Sequence, residues 1–254
     1  MLIQRVKASV RSVRFLYDLL SPSARKTARF RRELLHARQY CLSLPEIVSK
    51  PVFVKVGAND GITGDPFSDI LLTNVKWTGL LIEPAPNCFD RLKAIFHDAR
   101  RFSLEQVAIG ATAGEAIFYY VDQKAAENLS NLPSWYDQLG SFDKNHILKH
   151  LDGVLEPFII ECKVEVFPLT DILRRNGIQD VHFLHIDTEG YDYEILKSFN
   201  LADQIAIAIF IEHKHLSGSE RTEMRDLLRK CGYSVHDCGG DFFALNENAR
   251  KGRH

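Results

Sequence analysis

The sequence predicts an α/β protein in which strands and helices alternate around a largely parallel sheet. An apolar, β-branched run at Val52–Val56 has the character of a buried strand, and a glycine-rich turn follows it directly. Asp65 and Pro66 then provide a helix cap and a first-turn proline. A second apolar strand, Thr78–Ile82, ends on a single acid, Glu83. Together these features indicate the first βαβ unit of a nucleoside-binding sheet.

The spacing between the glycine turn, residues 57–61 (GANDG), and Glu83 has a chemical reason. Glycine lets the backbone turn sharply and approach a ligand without a Cβ clash. An acid at the tip of the neighbouring strand can accept hydrogen bonds from two ribose hydroxyls. An ordinary turn is the alternative, but the flanking strand, helix and acid argue against it. A nicotinamide dehydrogenase is disfavoured, because Asn59 stands where the Gly-x-Gly-x-x-Gly fingerprint needs its second glycine.

The alternation of strands and helices continues along most of the chain. Apolar runs bounded by glycine and polar residues predict further strands at Phe102–Ile109, Glu115–Val121, Val164–Phe167, Val181–Asp187 and Ile205–Ile211. Helices are predicted after Pro86, over Leu169–Arg175, around Ile195 and Leu196, and over Ser219–Lys230. The end of the chain, Tyr233–Asp237 and Asp241–Leu245, has the pattern of a closing antiparallel hairpin.

Two of these strands deliver polar side chains to the edge where ligands bind in open α/β sheets. Asp187 and Glu189 follow one strand, and a carboxylate there can hold an amino group of a ligand. Glu189 can instead cap its own helix. Glu212 and His213 follow the next strand, and His213 can accept a proton from a hydroxyl because imidazole titrates near neutral pH. A surface turn is the alternative for this second group.

Four stretches resemble the FkbM-type S-adenosylmethionine-dependent methyltransferases. They are GANDG, the Asp65-Pro66 helix start, the W-x-G-x-L-I-E-P strand and HIDTEGYDYEIL. The resemblance covers roughly residues 50–245 and implies the Rossmann-like, seven-stranded sheet of class I methyltransferases, with helices on both faces. One position departs from the family pattern. The family often has an acid two residues before the first motif glycine, where this chain has Lys55.

The resemblance implies methyl transfer from S-adenosylmethionine to a hydroxyl oxygen of a sugar, glycan or secondary metabolite. It assigns cofactor binding to Gly57, Asn59, Asp60, Gly61, Glu83, Pro84, Gln106, Val107 and Asp187. Within that set the turn would hold the methionine end, Glu83 the ribose, and Gln106 and Val107 the adenine. Asp187 would bind the amino group or orient the acceptor, and His213 would take the proton. Residues 122–158, mostly polar with scattered aromatics, resemble the variable part of the family that borders the substrate, and a surface segment pinned by its aromatics is the alternative.

The N-terminal segment is strongly basic. Residues 1–40 hold ten Lys/Arg and two Asp/Glu, which is a net charge of about +8. Because the whole chain has a net charge of −1, the remaining residues carry about −9. The apolar residues of the N-terminal segment recur at helical spacing, which predicts one or two amphipathic helices, with a break at residues 21–23. We divide the chain into this helical extension, residues 1–45, and a methyltransferase domain, residues 46–254. This extension has three possible interpretations. It packs on the domain as a helical cap, it attaches the protein to a membrane surface or a protein partner, or it contacts nucleic acid. The last of these is disfavoured.

The five cysteines are scattered and odd in number, which predicts free thiols in a reducing compartment. No apolar run is long enough for a membrane span, so a cytoplasmic protein is expected, with membrane association through the basic helix as an alternative. No metal site is assigned. Cys231, His236 and Cys238 fit no zinc spacing, and a magnesium site at Asp187, Glu212 and His213, as in metal-assisted catechol-type methyltransferases, is not required by the motifs.

Two functions of other classes remain as alternatives. One is a metabolite-binding module that acts through its basic N-terminal helix without catalysis. The other is an RNA methyltransferase that uses the same helix to hold phosphate. The acidic balance of the remaining chain makes the second the weaker of the two.

Overall fold

The computed structural model describes residues 22–98, 100–199, 201 and 206–246. Within these ranges the strands are β1 Val52–Val56, β2 Thr78–Ile82, β3 Phe102–Glu105, β4 Ala108–Ile109, β5 Gly114–Val121, β6 Ile159–Phe167, β7 Phe183–Ile186, β8 Ala208–Glu212, β9 Ser234–Asp237 and β10 Asp241–Leu245. The helices are α1 Pro22–Ile47, α2 Ser68–Thr73, α3 Pro86–Ile95, α4 Lys124–Asn128, α5 Lys144–Leu148, α6 Leu169–Arg175, α7 Asp192–Ser198 and α8 Gly218–Lys230. Two 3₁₀ turns, Leu151–Gly153 and Glu156–Phe158, precede β6.

In the described residues a seven-stranded sheet has the order β3-β2-β1-β7-β8-β10-β9. The first five strands of that order are parallel, and β10 runs antiparallel to both of its neighbours. The sheet and its closing hairpin confirm the predicted fold class. The unbroken apolar runs are explained by burial on both faces, since every residue of β7 and β8 is buried.

The predicted third strand, Phe102–Ile109, is wrong as a single element. β3 pairs with β2 in the main sheet, whereas β4 pairs with β6 in a separate three-stranded sheet of order β4-β6-β5. The chain changes sheets at residues 106 and 107, where Val107 turns into the core. The strand predicted to begin at Val164 begins at Ile159 instead. Its first half was missed because Glu161 on its exposed face interrupts the apolar run.

Helix α1 packs on the sheet beside the closing hairpin. Ala37, Cys41 and Leu44 are buried in the same cluster as Phe243 of β10. The helix continues past residue 45, where the sequence suggested a domain boundary. The other predicted helix of the extension, in residues 1–20, lies outside the described residues.

The described residues also give the state of the cysteines and the character of the helices. All five cysteines lie in the described ranges and are free thiols. Among the described helices, none is both long and apolar enough to cross a bilayer.

Candidate active site

A cavity of about 330 Å³ lies at the carboxyl ends of β1, β2 and β7. Its walls include the residues that end or follow those strands, among them Gly57, Glu83 and Asp187. The stretch from Asp137 to Lys149, within the irregular segment at residues 122–158, forms another wall. The cavity therefore has the position that the sequence predicted for the ligand.

The glycine turn brings two strand ends together. Gly57 has φ of +76°, and a Cβ there would overlap with the carbonyl group of Asp187. The Gly57 and Ala58 amides both donate to the carbonyl oxygen of Ile82, at 3.0 and 2.9 Å. The turn is thus held against β2 while it passes directly over the end of β7, which only a glycine allows.

Glu83 is buried at the floor of the cavity and joins the turn to the next helix. Its carboxylate accepts hydrogen bonds from the amides of Asn59 and Ala85, each at 2.8 Å. Burial raises the pKa of Glu83 to about 7, although both amide bonds act in the opposite direction. Each carboxylate oxygen has a second lone pair, so the fixed group can still accept bonds from ligand hydroxyls.

The predicted cofactor residues divide into two groups. Gly57, Asn59, Glu83, Pro84, Val107 and Asp187 line the cavity. Asp60, Gly61 and Gln106 lie outside its lining. The Asp60 carboxylate accepts bonds from the amides of Ile62 and Thr63, so it orders the turn. Gly61 faces Leu92 and Phe96, and Gln106 is exposed.

Lys55, the departure from the family pattern, forms a buried ion pair with Asp65 beside the cavity. Asp65 also accepts hydrogen bonds from the amides of Phe67 and Ser68, at 2.6 and 3.1 Å, and so fixes the turn that leads into α2, whose N-cap position is Phe67. Burial acts to raise the pKa of Asp65, but the ammonium of Lys55 and nearby His185 lower it below its usual value. The sequence predicted a helix that begins at Asp65 and Pro66, whereas α2 begins at Ser68, and it did not predict the pairing of Asp65 with Lys55.

Carboxyl groups are concentrated at the edge of the sheet where β7 and β8 end and the antiparallel β10 begins. Burial raises the pKa of each, and repulsion from neighbouring carboxylates raises it further. The group comprises Asp187, Asp192, Glu212 and Asp241. Lys214 offsets part of this charge at Asp187, Glu212 and Asp241. This edge of the sheet therefore favours a positively charged ligand.

Two histidines that the sequence analysis did not assign line the cavity with Glu189. His215 Nε2 lies 2.9 Å from Glu189 Oε2, and His146 Nε2 lies 3.3 Å from the same oxygen. Although burial acts to raise it, these two imidazoles hold the pKa of Glu189 down to about 2. His215 lies two residues after His213, so the polar run at the end of β8 was a signal for it, whereas His146 lies within residues 122–158, where the sequence contains no such signal.

His213 is not among the residues that line the cavity. Its amide donates to the carbonyl oxygen of Gly240 at 2.8 Å, which extends the β8–β10 ladder by one residue. The imidazole packs on Phe242, with ring centroids 4.1 Å apart, and its Nε2 lies 3.7 Å from Asp237. The structure therefore does not bring His213 to the position of a base for a bound acceptor, where the sequence had placed it.

The wall formed by the irregular segment is fastened to the glycine turn and to α3. Arg91 and Asp137 form an ion pair at 2.8 Å. The Gln138 side chain donates to the carbonyl oxygen of Thr63 at 3.0 Å. Asp143 caps α5 by accepting from the Asn145 amide at 2.9 Å, which fixes the helix that carries His146. The segment predicted to border the substrate thus lines the cavity.

The fold has several structural neighbours among methyltransferases, all of low identity. A methyltransferase FkbM from Methylobacillus flagellatus KT is 12% identical with a TM-score of 0.48, over 77% of this chain and 43% of that chain. The METTL16 methyltransferase domain is 12% identical with a TM-score of 0.43, over 85% of this chain and 66% of that one. An Aeropyrum pernix fibrillarin, in complex with natively bound S-adenosyl-L-methionine, is 12% identical with a TM-score of 0.36, over 77% and 65%.

The matched region of this chain spans less than half the length of the Methylobacillus protein. No curated protein sequence matches the chain. The family model of the methyltransferase FkbM domain matches residues 55–235, which is well over half of the sequence. This chain therefore belongs to the FkbM methyltransferase family.

Proposed function

We propose that this protein transfers a methyl group from S-adenosylmethionine to a hydroxyl oxygen of a sugar, glycan or secondary-metabolite acceptor. The observation that carries the proposal is the convergence of Gly57, Glu83 and Asp187 on one cavity at the ends of three adjacent strands. An α-amino acid joined to a nucleoside needs a close backbone approach, an acceptor for ribose hydroxyls and a carboxylate for its ammonium group. These three residues provide those features in that order.

The residues of the cavity fit this cofactor on structural grounds. Gly57 lies in the cavity lining, and Glu83 is fixed there by two backbone amides, with lone pairs left for ligand hydroxyls. The carboxyl groups around Asp187 favour a positively charged ligand. Val107 and Ile109 add apolar surface for a base. When bound, S-adenosylmethionine supplies a methyl group on a positively charged sulfur that needs no further activation.

The task left to the chain is to align the acceptor and to manage its proton. The acceptor oxygen forms a bond to the methyl carbon as the carbon–sulfur bond breaks, and the electron pair of that bond stays on sulfur. The hydroxyl proton leaves to a base or to water. His146, Glu189 and His215 line the cavity and can take up this proton.

The cofactor is tested by calorimetric titration with S-adenosylmethionine and, separately, with NAD. We expect micromolar binding of S-adenosylmethionine and none of NAD, with at least a tenfold loss of affinity in Glu83→Ala. Glu105→Ala is the matched control, since this acid ends the neighbouring strand but pairs with Arg175 and Asn176 outside the cavity lining. Binding of neither ligand to the wild type would overturn the proposal.

The acceptor is tested with S-adenosylmethionine labelled in its methyl group and a panel of sugars, glycans, hydroxylated metabolites and RNA. Label recovered as an ether methyl on a small acceptor would support the proposal. Label on RNA alone, with an affinity that falls steeply with salt, would overturn the acceptor class while leaving the cofactor in place. Binding without transfer to any member of the panel would favour the non-catalytic alternative.

A further inference from the structure

The contact of His146, Glu189 and His215 differs from an ordinary ion pair with two histidines. One potential ligand atom from each residue lies within 4.8 Å of the other two. His146 Nε2, Glu189 Oε2 and His215 Nε2 are all buried, and within the described residues none of the three has a hydrogen-bond partner of acceptable geometry. Buried polar atoms without partners are costly, so three that converge on one place indicate a missing group.

The separations between these atoms suit a metal ion. Two ligands bound at about 2.0–2.2 Å lie about 3.0–3.4 Å apart when the angle at the metal is between 90° and 109°. The measured distances to Glu189 Oε2 are 2.9 Å from His215 and 3.3 Å from His146. Two of the three ligand pairs therefore already have the separation that a shared metal ion would give them, and the third pair, His146 Nε2 with His215 Nε2, lies within 4.8 Å.

The electrostatic surroundings also suit a cation. Glu212 Oε1 lies 3.8 Å from His215 Nε2, and Asp187 lines the same cavity. A divalent ion bound here would favour the ionised form of these nearby carboxyl groups and would be attracted by them.

We propose that His146, Glu189 and His215 bind a divalent transition metal, with zinc as the best match. Two imidazoles and one carboxylate form a known ligand set of catalytic zinc, in which a fourth position stays open for water or substrate. Magnesium fits less well, because it prefers oxygen ligands. All three residues line the cavity, so a metal ion held by them would lie beside it.

The role of the ion rests on the proposed function. A cation at this place binds the oxygen of an acceptor hydroxyl and lowers its pKa, so that the proton is released to solvent before the methyl group is transferred. The ion would thereby account for removal of the acceptor's hydroxyl proton, which His213 cannot accept because it does not line the cavity. Metal binding itself requires neither S-adenosylmethionine nor an acceptor, so the two proposals can fail independently.

The test uses the full chain, stripped with a chelator and dialysed against zinc, with the bound metal measured by elemental analysis. We expect one equivalent in the wild type, lost in His146→Gln and in His215→Gln. The control is His36→Gln, because Glu33, His36 and His236 form a second possible cluster, although Glu33 already accepts hydrogen bonds from Arg32. Metal that is lost from the control but kept in the two cavity variants would overturn the proposal.

X-ray absorption on the zinc-loaded wild type gives a second measurement that needs no variant to fold. Nitrogen and oxygen ligands only, with the signature of two imidazoles, would support the site, whereas sulfur ligands would overturn it. Calorimetry with S-adenosylmethionine on the same samples separates the outcomes. Cofactor binding without metal would overturn this inference alone, and metal binding without the cofactor would overturn the proposed function alone.

Discussion

The carbonyl group of Asp187 occupies the space that a side chain at Gly57 would need. The turn after β1 and the end of β7 are thereby held in direct backbone contact beneath the cavity. The glycine requirement is twofold, because residue 57 also has a positive φ of +76°. A glycine in a ligand-binding turn is usually explained by approach to the ligand, but here it first permits approach to the neighbouring strand.

Gly57→Ala should therefore cost more than backbone strain alone. Alanine in the left-handed region costs about 1–2 kcal/mol, and a clash with a buried carbonyl adds to this. The control is Gly177→Ala, since Gly177 has φ of +66° but, apart from its chain neighbours, no heavy atom within 4 Å of the place a Cβ would take. Urea unfolding should show a larger loss for Gly57→Ala, together with loss of S-adenosylmethionine binding. Equal losses in the two variants would contradict the steric argument.

The buried pair between Lys55 and Asp65 gives a second prediction. Lys55→Met leaves the Asp65 carboxylate buried without its cation, which should cost about 3–5 kcal/mol of the free energy of unfolding. Asp65→Asn keeps an oxygen that can accept from the Phe67 and Ser68 amides, so the double variant should be more stable than Lys55→Met alone. A urea double-mutant cycle measures the coupling, and purely additive effects would show that the two groups do not stabilise each other.

Residues of this site could be predicted from sequence where a neighbouring stretch of the chain determines their position. Glu83 and Asp187 were identified because each ends an apolar strand, and strand ends meet at one edge of a parallel sheet. Gln106 was assigned only through the family resemblance, and the change of sheet at residues 106 and 107 leaves its side chain exposed.

The histidines illustrate what sequence could not predict. His213 and His215 are two residues apart in the same run, yet only His215 lines the cavity, because the β8–β10 ladder continues through His213. His146 reaches the site on a short helix whose position is set by tertiary contacts such as Arg91 with Asp137. No periodicity or spacing in the sequence encodes those contacts.

The position of His213 leads to a third prediction. His213→Gln should leave the pH profile of methyl transfer unchanged, since its imidazole packs on Phe242 outside the cavity lining. Its effect should appear in stability instead, through lost packing of a side chain that is 2% exposed. A parallel pH profile for His215→Gln, at saturating cofactor, should show a large loss of turnover. A shifted profile in His213→Gln alone would restore His213 as the base.

The raised pKa of Glu83 gives opposite pH dependences for stability and for cofactor binding. The unfolded carboxyl titrates near 4.5 and the folded one at about 7. Between these values the folded state holds a proton that the unfolded state has lost, so this residue's contribution to stability decreases as pH rises through the window, by at most about 1.4 kcal/mol per pH unit. Glu83→Gln should remove that slope from the free energy of unfolding.

Affinity for S-adenosylmethionine should change in the other direction. The ionised carboxylate is the better acceptor for ribose hydroxyls, so binding should be about tenfold weaker at pH 6 than at pH 8. Glu83→Gln should bind S-adenosylmethionine more weakly, with a flatter pH dependence over the same range. The pKa of Asp187 is also raised by burial, so this variant distinguishes the pH effect of Glu83 from that of Asp187. Calorimetry at both pH values measures the effect. If the wild type and Glu83→Gln kept the same ratio of affinities at pH 6 and pH 8, ionisation of Glu83 would not control cofactor binding.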